Sequence, residues 1–223
     1  MLSIKHIRYA QAHETTYRTF ARRAYLRKPE IKTETGFQAV YDRLLFSLLS
    51  VNEAFETTAS AYAEMRGTVW HDFRPILDMY LRHGVHYAAA RAEYLRRATE
   101  LFVSDPRQFL RYPRENWNTY RARLVALIPG LSYIKVSFFI GMIYRDAPIC
   151  CLDRHMLRAL GAHDAATAMR LLKPGPLGQL RYQALEASLK RRNKTKLSLP
   201  AFQWAIWDSV QQSINNMEVL YVS

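Results

Sequence analysis

A Pro-Gly turn that leads into an apolar helix limits the possible folds of this chain more than any other segment. The sequence "LIPGLSYIKVSFFIGMIY" at residues 127–144 contains one charged residue, Lys135. A helix that is apolar on all its faces has to be covered by other elements, and this one falls well short of the roughly 20 residues that span a bilayer. The chain therefore has to build a packed core around this helix, and the lysine within it needs an explanation.

The rest of the chain supplies the helices for such a core. Hydrophobic residues make up 49% of the 223 residues, and the chain has only 8 glycines and 9 prolines. Apolar residues recur at helical spacing, as at Val40, Leu44 and Leu48, and this spacing is typical of helices rather than strands. We predict an all-α fold of about nine to eleven helices, with a lobe boundary in the polar stretch "KPEIKTETG" at 28–36. A helix break is expected at 50–52, and Gly161 is expected to end the helix that begins at 151. We also expect a helix through "DPRQFLRY" at 105–112, a loop around 173–178 and a last helix over 199–217.

The formal net charge of +13 indicates a polyanionic partner. A surface this basic attracts nucleic acid, although solubility or a preference for a membrane surface is the alternative that charge alone leaves open. The only two cysteines, Cys150 and Cys151, are adjacent, and two thiols alone hold neither an iron–sulfur cluster nor a structural zinc. We therefore expect no metal and no cofactor. The N-terminal sequence lacks the apolar core of a signal peptide, so we expect a cytoplasmic protein, associated with the nucleoid or, if viral, in the host cytoplasm.

The Pro-Gly turn could also form an anion-binding site. The second helix opens at this turn, so its first backbone N–H groups point toward one place and have no partner within the helix. A phosphate group fits such a helix start, and contacts of this kind position a duplex without reading its sequence. Pro-Gly turns between helices are common, so the turn alone is a weak signal.

Two side chains that follow the turn could take part in catalysis. Lys135 lies in the first turns of the second helix, and Asp153 follows it by 18 residues (153 − 135). The intervening loop can bring Asp153 back toward the turn. A lysine that loses its proton in a desolvated site can attack an electrophilic sugar carbon, and a carboxylate can stabilise the positive charge that develops there. Lys135 could instead extend from an amphipathic helix into solvent, and Asp153 could serve only as a helix cap.

The sequence at 128–161, "IPGLSYIKVSFFIGMIYRDAPICCLDRHMLRALG", resembles the signature of the helix-hairpin-helix (HhH-GPD) DNA glycosylase superfamily. In that signature an "LPGVG" hairpin precedes a catalytic lysine, and a "VDxH" segment carries an essential aspartate. The pattern falls on Pro129, Gly130, Lys135, Asp153 and His155. The resemblance implies that Lys135 and Asp153 are catalytic and that Pro129 and Gly130 bind DNA. His155 joins the DNA-binding group by the same pattern, with a packing role as its alternative.

A second segment agrees with the first. The sequence "LLFSLLSVNEAFETTASAYAEM" at 44–65 resembles the helix pair of this superfamily, "LLSxQ" or "SSN", in which an amide side chain at the break fills the gap left by the extruded base. Asn52 occupies that break, so the resemblance implies that Asn52 inserts into DNA; its alternative role is a helix cap. The four-cysteine loop that binds an iron–sulfur cluster in some branches is absent from the sequence.

The resemblance also implies an architecture and a reaction. We expect a two-lobed fold with a cleft between the lobes: a central lobe at 37–158, with the hairpin at about 117–146, and a second lobe formed by 1–36 and 159–223. We expect a monomer that binds double-stranded DNA with a damaged or modified base, flips the nucleotide out and excises the base. Attack by Lys135 would add an AP-lyase step. The alternatives are a base-hypermodifying enzyme on the same fold and a non-enzymatic DNA-binding module.

Two positions depart from the common pattern. Ser132 stands where the second hairpin glycine is expected, and we include Ser132 in the DNA-binding set. Five residues separate Gly130 from Lys135, where four are usual, which rotates the lysine by about 100° on an ideal helix unless the turn takes up the extra residue. Because pocket residues come from several helices of unknown register, the sequence leaves the identity of the base open.

Overall fold

The computed structural model describes residues 3–161 and 176–221. Within these ranges the regular structure consists of helices, as the sequence predicts. The α-helices are α1 (Ile4–Ala12), α2 (Glu14–Ala24), α3 (Glu34–Leu49), α4 (Phe55–Met65), α5 (Phe73–Arg82), α6 (Ala88–Ser104), α7 (Trp117–Leu127), α8 (Tyr133–Ile143), α9 (Arg154–Ala159), α10 (Pro176–Arg192) and α11 (Leu199–Gln211). Two 3₁₀ helices span Pro106–Phe109 and Asn216–Leu220. None of the helices in the described ranges combines the length and apolar character that a membrane crossing requires.

The contacts between residues divide the chain into two units. One unit contains Met1–Arg27 and Ile140–Ser223, and the other contains Lys28–Phe139. We call them the terminal unit and the central unit. Helix α8 belongs to both, because it runs from Tyr133 in the central unit to Ile143 in the terminal unit. The lobe boundaries expected from the sequence stay a prediction.

The core of the central unit forms around α3 and α6. The periodic residues of α3 are buried, with Val40, Leu44 and Leu45 fully covered. Phe102 of α6 lies at the centre of an aromatic group, and its ring centroid is 5.6 Å from that of Tyr41 and 5.0 Å from that of Phe109. Burial of such rings contributes more than their apolar area alone, so this group holds α3, α6 and the adjoining 3₁₀ helix together.

The core of the terminal unit forms around α11. Gly141 of α8 lets this helix approach α11 closely, because a Cβ atom at position 141 would lie 3.2 Å from Cβ of Pro200. The carboxylate of Asp208, on α11, is fully buried and accepts a hydrogen bond from the hydroxyl of Tyr17 at 2.6 Å. It also accepts bonds from the backbone N–H of Asn215 and the side chain of Asn216. This network fixes α2, α11 and the C-terminal 3₁₀ helix to one another.

Most predicted helices appear, with three local corrections. The helix predicted through "DPRQFLRY" is wrong, because only the 3₁₀ turn Pro106–Phe109 forms; a residue before Pro113 is disfavoured in the α conformation. The last predicted helix ends early, at Gln211. The prediction of a loop around residues 173–178 is wrong from residue 176 onward, because Pro176 is the first residue of α10. Positions 173–175 lie outside the described residues.

Candidate active site

The hairpin between α7 and α8 has the compact form that its sequence predicts. Helix α7 ends at Leu127, and the carbonyl of Ile128 accepts the N–H of Leu131 at 3.3 Å across the turn. Gly130 has a φ of +80°, in the left-handed region, which a residue with a Cβ atom enters only at a cost. Space is also restricted, because a Cβ at position 130 would lie 2.7 Å from Cδ2 of Tyr94. Glycine is therefore required here for both conformation and packing.

Helix α8 begins directly after the hairpin. The carbonyl of Ser132 accepts the N–H of Val136 at 2.9 Å, which makes Ser132 the residue that starts the helix. The N–H groups of Ile134 and Lys135 lie in the first helical turn, ahead of this bond. Ser132 is exposed and Pro129 is partly exposed, so the N-terminal end of α8 is open to a ligand.

Lys135 is the third residue of α8. It is partly exposed, whereas the next four residues, 136–139, are buried. The Nζ atom lies 5.5 Å from the centroid of the Phe138 ring, within the range of a cation–π contact. The lysine therefore marks the point where the buried stem of α8 reaches the surface beside the hairpin.

Arg121 of α7 braces this helix start from inside the central unit. Its side chain is fully buried, and Nη1 donates to Oγ of Ser137 at 3.0 Å. The guanidinium group lies 4.3 Å from the ring centroid of Tyr133, the first residue of α8. Sequence reasoning missed this residue. The available signal was helical spacing, because Arg121 precedes the buried Leu124 by three residues.

Asn52 lies at the tip of the turn between α3 and α4. It is exposed, and its φ of +50° is in the left-handed region, which asparagine tolerates better than most residues. The break predicted at residues 50–52 is confirmed, because α3 ends at Leu49 and α4 begins at Phe55.

An arginine from α6 anchors the same turn. Nη2 of Arg91 donates to the carbonyls of Leu48 at 3.1 Å and Leu49 at 2.6 Å, at the C-terminal end of α3. Nη1 of Arg91 lies 2.9 Å from Oε2 of Glu53, the residue after Asn52. Arg91 thus satisfies helix carbonyls that would otherwise lack partners, and it holds the turn on both sides of Asn52.

Glu53 links this turn to a second one. It accepts the backbone N–H of His86 at 2.9 Å, and its other oxygen lies 2.9 Å from Nδ1 of the same histidine. Burial alone would raise the pKa of Glu53, but the hydrogen bonds from His86 and Ala54 and the charge of Arg91 hold this pKa below its ordinary value. The carboxylate is therefore the charged centre that joins the two turns.

The second turn presents an aromatic residue that sequence reasoning missed. Tyr87 follows His86 directly, has a φ of +53° and is 84% exposed. Tyrosine seldom adopts this backbone region, and a large aromatic side chain this exposed suits contact with another molecule better than a role in the core. The sequence carried no signal for it, since a single tyrosine before a helix has no periodic context.

Asp153 caps helix α9 in the terminal unit. Its Oδ1 accepts the N–H of Met156 at 2.9 Å, which is the geometry of an N-cap. The residue is partly exposed, whereas the three residues before it, 150–152, are buried. Gly161 follows α9 with a φ of +97°, which confirms it as the helix terminator. A cap and a catalytic role are compatible, because capping uses one of the two carboxylate oxygens.

The side chain of His155 contacts two residues of α11. The side-chain nitrogen of Gln211 lies 2.7 Å from Nδ1 of His155. The ring of His155 lies 5.8 Å, centroid to centroid, from that of Trp207 in an edge-on arrangement. These contacts agree with a packing role, and DNA binding by His155 stays a prediction.

The predicted residues divide between the two units. Asn52, the hairpin and Lys135 belong to the central unit, and Asp153 and His155 belong to the terminal unit. The approach of Asp153 to Lys135 stays a prediction. In the described ranges, no group of three or more His, Cys, Asp or Glu side chains is arranged to hold a metal ion, and Cys150 and Cys151 are buried and not disulfide-bonded.

In the described residues the fold is helical, with the Pro-Gly hairpin before a lysine-bearing helix and a helix-capping aspartate after it, which is the arrangement expected from the resemblance to helix-hairpin-helix DNA glycosylases. A family model described as Ogg-HhH, 8-oxoguanine DNA glycosylase, matches residues 23–196. Because this match covers most of the chain, the protein belongs to the 8-oxoguanine DNA glycosylase family, which is a family of enzymes. The resemblance found in the sequence is thereby confirmed.

Two solved structures of 8-oxoguanine DNA glycosylases have a similar fold. The 8-oxoguanine DNA glycosylase of Thermotoga maritima superposes with a TM-score of 0.71 at 19% identity, over 93% of this chain and 94% of that chain. The 8-oxoguanine glycosylase/lyase of Methanocaldococcus jannaschii, crystallised with 15mer DNA containing 8-oxoguanine, superposes with a TM-score of 0.70 at 20% identity, over 93% of this chain and 98% of that chain. At these identities the likeness shows the fold. A search of curated proteins gave no significant match.

Proposed function

We propose that this protein removes 8-oxoguanine from double-stranded DNA and then cleaves the strand at the abasic site. Membership of the 8-oxoguanine glycosylase family supports the choice of base, as does the crystallisation of a relative of the same fold with DNA that contains 8-oxoguanine. The observation that carries the proposal is the position of Lys135, in the first turn of a helix whose open N-terminal end follows the Pro-Gly hairpin.

DNA binding begins at the hairpin. A backbone phosphate accepts hydrogen bonds from N–H groups at the start of α8, and the helix dipole favours its negative charge. Gly130 leaves the turn compact, and Ser132 adds an exposed hydroxyl at the same end. The net charge of +13 draws the duplex to the protein over a longer distance.

Base flipping needs a replacement for the nucleotide that leaves the stack. Asn52 takes the vacated place, and its amide can pair with the edge of the unpartnered base. Tyr87 supports the distorted duplex by stacking or by entering a groove, because it is exposed on a turn that is bonded to the Asn52 turn through Glu53. Because Arg91 and Glu53 hold both turns in place in the free protein, DNA binding costs little conformational entropy in these turns.

The chemistry follows from the lysine and the aspartate. The amine of Lys135 attacks C1′ of the flipped nucleotide and gives up a proton, the C1′–N9 bond breaks, and its electrons leave with the base, which takes up a proton. Asp153 stabilises the positive charge that develops on the sugar and helps to activate the amine. The covalent product rearranges to a Schiff base between Lys135 and C1′ of the opened sugar. Loss of a C2′ proton then expels the 3′ phosphate, and hydrolysis frees the lysine.

A panel of duplexes tests the proposal. Each duplex contains one base, either 8-oxoguanine, thymine glycol, uracil, 3-methyladenine or unmodified guanine, and the released base is measured by mass spectrometry under single-turnover conditions. We expect release of 8-oxoguanine, with at least a roughly 100-fold loss of rate in Lys135→Gln and in Asp153→Asn. Lys5→Gln is the matched control, because it removes the same charge from an exposed position on α1.

Three results would contradict parts of the proposal. Failure of the wild-type protein to release 8-oxoguanine while it releases another base would refute the substrate. Unchanged release by Asp153→Asn would refute the role of the aspartate, whereas an equal loss in Lys5→Gln would mean that the lost charge, not the lost nucleophile, slows the reaction.

A further inference from the structure

The backbone that leads into Asp153 is held by side chains from α10. The hydroxyl of Tyr182 donates to the carbonyl of Cys150 at 2.7 Å and accepts the N–H of Leu152 at 2.9 Å. A carboxyl oxygen of Glu186 accepts the N–H of Cys150 at 2.8 Å. Three backbone groups directly before Asp153 are therefore bonded to two side chains that lie much further along the chain.

These bonds satisfy groups that have no regular partner. Residues 150–152 are buried but belong to neither a helix nor a strand, and buried backbone N–H and C=O groups need partners. Tyr182 and Glu186 are four residues apart and lie on the same face of α10. Both are buried, at 2% and 6% exposure, so solvent does not compete for their hydrogen bonds.

Asp153 itself needs an accurate position. Its cap bond to Met156 fixes it relative to α9, but this bond does not set where the start of α9 lies. The preceding backbone sets that, because Asp153 follows Leu152 by one peptide unit. In an active site, an error of about 1 Å in the place of a reacting group can reduce the rate about 100-fold.

We infer that Tyr182 and Glu186 are positioning residues for Asp153: the hydrogen bonds from α10 to residues 150–152 set the location of the carboxylate in the base-excision step. The inference rests on the role proposed above for Asp153. It adds two residues of α10 that act on the carboxylate through the backbone before it, rather than on the reacting atoms.

Two reactions separate positioning from general stability. Base excision from 8-oxoguanine DNA needs Asp153 to stabilise the charged sugar, whereas Schiff-base trapping on a preformed abasic site starts from an open aldehyde. We expect Tyr182→Phe to slow single-turnover release of 8-oxoguanine by about 10- to 100-fold. We expect the Kd for duplex DNA and the rate of borohydride trapping on abasic DNA to stay within about threefold of wild type.

Glu186 supplies an independent pair of variants. Glu186→Gln keeps an oxygen that can accept the N–H of Cys150, and we expect base release near the wild-type rate. Glu186→Met removes the acceptor at similar volume, and we expect the slower rate of Tyr182→Phe. If Tyr182→Phe does not fold, this pair alone decides: equal rates of base release in the Gln and Met variants would overturn the inference.

Tyr17→Phe is the control for loss of a buried hydroxyl. It lies in the same unit, but its hydroxyl bonds Asp208 rather than residues 150–152, so we expect release within about threefold of wild type. If Tyr17→Phe and Tyr182→Phe slow base release equally, the effect comes from a general loss of stability, and the inference is overturned. Parallel measurement of Asp153→Asn keeps the two proposals distinguishable. A slow Asp153→Asn with an unchanged Tyr182→Phe refutes positioning only, whereas an active Asp153→Asn refutes the proposed role of Asp153.

Discussion

Replacement of Gly130 by alanine tests the hairpin geometry, because two separate costs can be measured. A φ of +80° in a residue with a Cβ atom costs about 1–2 kcal/mol. The new Cβ would also lie 2.7 Å from Cδ2, 2.9 Å from Cγ and 3.0 Å from Cβ of Tyr94. Because Cβ of Tyr94 is fixed to the backbone of α6, rotation of the tyrosine cannot move it away, and overpacking of this kind costs about 1–3 kcal/mol more.

We therefore expect Gly130→Ala to lower the free energy of unfolding by about 2–5 kcal/mol in urea denaturation. Gly67→Ala is the matched control, because Gly67 has a φ of +81° but no atom within 4 Å of the place that a Cβ would occupy. We expect a loss of about 1–2 kcal/mol in that variant. The Kd for duplex DNA should rise for Gly130→Ala and stay unchanged for Gly67→Ala, because only the former displaces the proposed phosphate site.

The double variant with Tyr94→Ala completes this test. Measured against Tyr94→Ala alone, Gly130→Ala should cost less than in the wild-type background, because Cγ and Cδ2 of Tyr94 are gone and only the contact with the Cβ at 3.0 Å remains. The reasoning is refuted if Gly130→Ala and Gly67→Ala lose equal stability, or if Gly130→Ala loses stability but binds DNA as the wild type does.

Three further predictions concern the turns and the buried aspartate. Arg91→Met leaves the buried carboxylate of Glu53 without its guanidinium partner, so urea denaturation should show a loss of about 3 kcal/mol; a loss below about 1 kcal/mol would contradict the anchoring role. Tyr87→Ser should weaken lesion DNA binding by at least about 10-fold, with stability within about 0.5 kcal/mol of wild type, and unchanged binding would contradict DNA contact. Burial raises the pKa of Asp208, so the native state keeps its proton to a higher pH than the unfolded state does. Relative to Asp208→Asn, the wild type should lose unfolding free energy as pH rises above about 4, until the pKa of the folded state is passed; a constant or growing advantage across this range would contradict the shift.

Local patterns made part of the site predictable. The Pro-Gly turn, the start of α8 and the cap at Asp153 each depend on residues within a few positions of one another, and the helix break at Asn52 has the same origin. Such signals are carried by backbone preferences and short hydrogen bonds. The family resemblance came from these same segments.

Partners distant in the chain were not predictable. Arg91 reaches back to the end of α3, and Tyr182 reaches residues 150–152 from α10; in the sequence, each is one polar residue on an otherwise ordinary helix. Pro176 was interpreted as part of a loop, although proline is well tolerated in the first turn of a helix. The identity of the excised base was not predictable from the sequence either, because pocket residues from separate helices have no shared spacing. The proposal of 8-oxoguanine depends on the family match.

Borohydride trapping tests the central claim most directly. The wild-type protein is incubated with a duplex that contains one 8-oxoguanine, the Schiff base is reduced, and the covalent product is mapped by peptide mass spectrometry. We expect an adduct on Lys135, and none in Lys135→Gln, even though five residues separate the lysine from Gly130. An adduct on another residue, or one that persists in Lys135→Gln, would contradict the account.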